Sequence, residues 1–312
     1  MASCIAILAA LGLLLLFSGY RALEGTTLRG TWYWAATALF CLGICELPIA
    51  LYALPDSNWV EPLRFTMALG TFCPIMSQMG AKRPQDQAWH FIVFSLWAVL
   101  ALPAANAYFL DEPLQLHSIR GWFLWFLIAL GASNLLPTRF SVSAIFVFAG
   151  QAVLLSAYLP LLHVPLEAWG TLIGTVLLVA AVGIARLPTM RSPDRVKPMD
   201  LLWLDFRNHY GTLWGLRVSE RFNASAQMYK WPIQLTWWGF RRHEETELTG
   251  EQAADMLHNL KNLLRRFVSP EWIEQRLESP VFEEPVREEI VADDESEVGE
   301  SNSGQPSNNE QE

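Results

Sequence analysis

The amino-acid sequence predicts an all-α fold: a polytopic bundle of about seven membrane-spanning helices, a small and mostly helical cytosolic region, and an acidic tail. Three observations carry that expectation. Hydrophobic residues make up 52% of the 312 positions and charged residues only 17%, too few charges to solvate an ordinary soluble domain. The apolar residues gather in runs near the roughly 20 residues that a helix needs to cross hydrocarbon. The charges are segregated, because residues 283–312 hold eleven acids against Arg287 alone, a net −10 that leaves +1 for everything before them.

Seven apolar runs follow one another, approximately 4–20, 31–54, 63–81, 89–110, 121–136, 140–162 and 168–187. None alternates with the period of two that a membrane barrel strand requires, so helices are the remaining way to satisfy backbone polar groups in lipid. The first run could be a signal peptide, but it lacks a basic leader, and Phe17-Ser18-Gly19-Tyr20-Arg21 offers no small-residue cleavage site, so we read it as a span. With the N-terminus outside, Arg21, Arg29, Lys82, Arg83, Arg139, Arg186, Arg191, Arg195 and Lys197 fall inside, and only Arg64 and Arg120 outside. This positive-inside bias predicts a multi-pass cell-membrane protein with a cytoplasmic C-terminus. Loops such as Pro55-Asp56-Ser57-Asn58 and Asp111-Glu112-Pro113 are short, so neighbouring helices should form antiparallel hairpins. Pro48, Pro103 and Pro160 recur in the outward-running helices, and Pro84, Pro137 and Pro188 follow the inward-running ones. That suggests a degenerate two-helix repeat, although prolines near span ends are common without one. Cys4, Cys41, Cys45 and Cys73 all lie in apolar runs, where no disulfide framework is expected.

The chain thus divides into a transmembrane domain (1–190), a juxtamembrane cytosolic region (191–282) and a disordered acidic tail (283–312). Residues 191–242 carry a net charge of +5 and many aromatic rings. An amphipathic helix opening at Asp200, with Leu202, Phe206, Tyr210 and Leu213 on one stripe, is expected to lie along the inner leaflet. There Arg191, Arg195, Lys197, Arg207, Arg217 and Arg221 would meet anionic headgroups. Residues 232–240 alternate like a strand, with no partner evident for it. Thr249 and Gln252 form a capping box ahead of Met256, Leu260, Leu264 and Phe267, and Ser269-Pro270 opens a second short helix to about Leu277.

Candidate chemistry is sparse. Glu46 is the one ionisable residue deep inside a predicted span; it must face the bundle interior, with Asn106 and Gln151 as partners by depth. It reads either as a proton or cation site or as a hydrogen bond that locks helices together. Cys41, Cys73, Met76 and Met79 are soft donors of the kind that select copper(I), but without histidine they read more simply as apolar packing, and we assign no metal or other cofactor. Asp205 and His209, four residues apart with Arg217, Glu220 and Arg221 nearby, could act on lipid phosphates, although such groups are ordinary on a solvated helix. No phosphate loop, zinc-protease motif, nucleophile elbow, haem histidine pair or retinal lysine is present, and nothing points to nucleic acid. The sequon Asn223-Ala224-Ser225 falls in the predicted cytosol. Gly170 and Gly174 form a GxxxG pair suited to close helix contact or a homo-oligomer. The sequence therefore leads us to expect a non-enzymatic sensor, scaffold or assembly factor that engages a partner through 199–282. The alternative is a small-molecule or proton-coupled transporter built on Glu46.

Overall fold

The computed structural model describes residues 1–52, 59–110, 118–162, 166–187, 198–242 and 249–278, with 114, 116 and 164. Arg191, Arg195, Lys197 and the acidic tail lie outside the described residues. Those described are mostly helical, as the composition predicts. The apolar part comprises α1 (Ala2–Ser18), α2 (Arg29–Tyr52), α3 (Val60–Gly70), α4 (Cys73–Met79), α5 (Asp86–Leu110), α6 (Ser118–Leu135), α7 (Ser141–Leu154) and α8 (Glu167–Ile184). Within α2 and α5 lie two stretches long and apolar enough to cross a membrane; Ala2–Ser18, Ile119–Leu135, Ser141–Leu154 and Trp169–Ile184 are apolar but shorter.

The third apolar run is broken rather than continuous. Pro74 sits in the first turn of α4 and has no N–H to carry the ladder back into α3. The Thr71 carbonyl at the break accepts from Gln151 Nε2 of α7 at 3.0 Å, so a side chain of a neighbouring helix supplies a hydrogen bond where the helix is interrupted. Helix α1 packs on both α2 and α8, and α7 on α8, which closes the first helix against the last. Gly150 and Gly174 make the α7–α8 approach close: a Cβ at Gly150 would stand 3.1 Å from the Gly174 carbonyl oxygen. Gly170 and Gly174 thus face α7 of the same chain. The outer flanks of these helices stay apolar, with Ile7, Leu14, Phe91, Val99, Phe109, Ile119 and Phe126 all exposed.

The remainder folds as a C-terminal module of α9 (Pro198–Met228), a hairpin of β1 (Ile233–Thr236) and β2 (Gly239–Arg242), α10 (Gly250–Leu264) and α11 (Pro270–Leu277). The strand expected within 232–240 has its partner immediately after it, paired Thr236 to Gly239 around a Trp237-Trp238 turn. Both predicted caps form: Thr249 and Gln252 bond reciprocally, and Ser269 accepts from Trp272 N–H. Such caps contribute about 1 kcal/mol each. The expectation that 200–214 lies along a membrane surface is corrected here. Leu202, Trp203, Phe206, Tyr210, Trp214, Phe222 and Trp231 are buried together with Met256, Leu260, Leu264 and Phe267, and their rings build the core of the module. Leu213 leaves the predicted stripe and is exposed, because α9 is interrupted two residues earlier at Gly211, where φ is 76° and ψ is −170°. Only glycine adopts such a conformation without strain.

Candidate functional site

The residues singled out in the sequence do not assemble into one site. Glu46 is wholly buried, but its partner is Arg64 of α3, whose Nε and second guanidinium nitrogen donate to the two carboxylate oxygens at 2.7 and 2.9 Å. Neither predicted partner reaches it: Asn106 is exposed on α5, and Gln151 is committed to the α3–α4 break. A two-point arginine fork satisfies a carboxylate and fixes its geometry, which favours a lock over a binding site for a transported cation. Cys41 is half-buried on α2 and Cys73 buried on α4, while Met76 and Met79 pack against the Phe65, Phe72 and Leu124 core. Among the described residues no three His, Cys, Asp or Glu side chains come together as a metal site would require. A cleft of about 520 Å³ between α3 and α5 is lined by Trp59, Pro62, Thr66, Ala104 and Tyr108 and contains no carboxylate, histidine or lysine.

In the module, Arg207 is corrected from headgroup contact to core. It is 2% exposed, donates to the Trp237 carbonyl at 2.7 Å and to Asn208 Oδ1 at 2.8 Å, and stacks over the Trp237 ring. Arg217 and Arg221 are exposed. Asp205 and His209 do meet, but through the backbone: His209 Nδ1 is 2.7 Å from the Asp205 carbonyl, while the Asp205 carboxylate is held by Arg276 at 2.8 Å. Burial holds the His209 imidazole below its ordinary pKa, and Arg139 and Arg276 act in the same direction. A neutral ring that donates to a carbonyl, with its carboxylate turned to an arginine, is not arranged as an acid–base pair on a substrate.

The constellation that does assemble is polar, buried and absent from the sequence expectations: the junction between the apolar helices and the module. In an unbroken helix Leu213 N–H would bond the His209 carbonyl. The break at Gly211 separates them, and two side chains of the apolar helices take their places. Gln78 Nε2 of α4 donates to the His209 carbonyl at 2.7 Å, and Asn134 Oδ1 of α6 accepts from Leu213 N–H at 3.0 Å. Asn134 Nδ2 also donates to Gln78 Oε1 at 3.1 Å, and Trp214 Nε1 donates to the Gln78 carbonyl at 3.1 Å, so the node is closed on itself. Comparison with protein families, with curated proteins and with solved structures returns no match for this chain.

A second node lies beside the first. The Tyr210 hydroxyl donates to the Phe267 carbonyl at 2.7 Å and accepts from Thr27 N–H at 3.3 Å, while the Thr27 hydroxyl donates to the Ala81 carbonyl at 2.6 Å. Burial raises the Tyr210 pKa, so the phenol stays a neutral donor. Backbone bonds extend the seam: Ser269 N–H to the Gly25 carbonyl at 2.6 Å, Arg83 N–H to the Arg266 carbonyl at 2.9 Å, and Thr27 N–H to the Phe267 carbonyl at 2.9 Å. A third contact joins Arg139 N–H to Asn208 Oδ1 at 3.2 Å and Trp237 Nε1 to the Pro137 carbonyl at 3.2 Å. The connections α1–α2, α4–α5 and α6–α7 therefore all grip the module. Gln78 and Asn134, polar near the ends of apolar runs, and Gly211, inside a helical pattern, were the signals that could have marked this seam.

Proposed function

We propose that the chain is a multi-pass cell-membrane protein of seven spans, N-terminus outside and C-terminus cytoplasmic, acting without chemistry as a scaffold or assembly factor that holds its cytosolic module in a fixed pose for a partner. The observation that carries this reading is the exchange of one α9 backbone bond for two side-chain bonds from α4 and α6, which fixes the module to the apolar helices. The seven-span topology draws support from the identity of the gripping loops. Those near residues 25–27, 81–83 and 137–139 are the ones that the distribution of Lys and Arg assigns to the inside, the side of the module. The exposed apolar flanks agree, and α3 with α4 together give the third span its length. A sensor role would use the same coupling in reverse. The transporter reading is disfavoured by the saturation of Glu46 with Arg64.

The test is purification of the full chain from native membranes after mild cross-linking. One partner at fixed stoichiometry is expected, retained by Glu46→Gln and lost when Asn134→Ala loosens the module. Solute uptake by proteoliposomes that Glu46→Gln abolishes would overturn the scaffold reading in favour of transport.

A further inference from the structure

Four cations from three separate segments converge beside the seam. Lys82 stands in the turn after α4, Arg217 and Arg221 lie one turn apart on α9, and Arg266 follows α10. Their backbones are fixed: Arg83 N–H bonds the Arg266 carbonyl at 2.9 Å, Trp214 Nε1 anchors α9 to Gln78 at 3.1 Å, and Trp214 packs on Phe267 with ring centroids 4.9 Å apart. The Arg217 guanidinium lies over the Trp214 ring at 5.4 Å, which orients it before any ligand arrives. Arg217, Arg221 and Arg266 are exposed and Lys82 is half-exposed. Partial burial and the charges of Arg266, Arg221 and Arg217 all lower the Lys82 pKa, so Lys82 stands within reach of the repulsion of each of the three arginines. No carboxylate is paired with any of them among the described residues; Arg83, the next residue, acts instead on Glu271.

Like charges held together by independent anchors are unfavourable unless an anion joins them. A single carboxylate cannot balance four cations, whereas a phosphomonoester carries about −1.5 to −2 charges and three acceptor oxygens that match guanidinium forks. We propose that Lys82, Arg217, Arg221 and Arg266 form a binding site for a phosphomonoester group, supplied by an anionic lipid headgroup. The lipid source rests on the membrane reading, in which the turn after α4 lies at inner headgroup depth; the phosphate chemistry does not. A headgroup bound there would bridge α4, α9 and α10 and tighten the seam from outside.

The experiment is native mass spectrometry and thermal shift on the detergent-solubilised full chain. Three probes are added separately: dioctanoyl phosphatidylinositol 4-phosphate, dioctanoyl phosphatidylcholine and inositol hexakisphosphate. One equivalent of the phosphoinositide is expected to bind and raise Tm, with at least tenfold weaker binding in Lys82→Ala/Arg217→Ala and no change in Arg241→Ala, an exposed cation on β2. The phosphatidylcholine arm should show no such binding. Cluster-dependent binding of the soluble polyphosphate in preference to the lipid would uphold the phosphate site and reassign its source. Binding of every probe unaffected by the double variant, or no binding of either phosphate, would overturn the proposal, and neither result bears on whether the helices span a membrane.

Discussion

His209 shows how one side chain ties proton uptake to the seam. Its ring donates from Nδ1 to the Asp205 carbonyl, and its own carbonyl accepts from Gln78. Burial, with Arg139 and Arg276 nearby, disfavours the imidazolium, while the Asp205 charge and carbonyl oppose that effect without overcoming it. The unfolded chain therefore binds a proton at His209 near the ordinary value of about 6.5, where the folded chain still refuses it. The stability contributed by the neutral ring is complete above that value and declines as pH falls through it. Between about pH 7.5 and about pH 5.5, Tm should fall more for the native chain than for His209→Gln; parallel slopes would show that His209 is not the group involved.

At the scale of the element, α9 is two helices joined at a deliberate break. Replacing Gly211 by alanine forces a side chain into the left-handed region, at a cost of about 1–3 kcal/mol. It also sets a Cβ 2.6 Å from Asn134 Nδ2, so the node must open as well. Gly211→Ala should lower Tm by several degrees and speed amide exchange across 198–228, whereas Gly250→Ala, whose Cβ meets nothing within 4 Å, should not. Equal exchange in both variants would mean that the break is incidental to docking. The same element shows where sequence reasoning fails. Periodicity placed Leu202, Phe206 and Tyr210 on one stripe correctly, but a stripe does not say whether lipid or protein covers it. Here α10 and α11 supply the cover, which depends on contacts more than forty residues away along the chain.

At the scale of the whole molecule, the membrane reading makes a directional prediction. In a background without the native cysteines, Asp111→Cys should react with an impermeant maleimide from outside intact cells, and Glu24→Cys only after permeabilisation. The reverse pattern, or recovery of the chain as a monodisperse species without detergent, would remove the topology.

Local periodicity and the solvation cost of a charge were enough to read the helical character, both caps of the C-terminal helices and the burial of Glu46, and they located most of the apolar helices, but not the break between α3 and α4 or the end of α7 at Leu154, eight residues short of the predicted run. The tertiary structure alone decided that Arg64 is the partner of Glu46, that Gln151 bonds the chain at a helix break, and that Gln78 and Asn134 hold the module. These polar groups find partners by proximity across 18 to 131 residues of chain. A hydrogen bond depends on two groups meeting within about 3 Å, and no periodicity in the chain records that meeting.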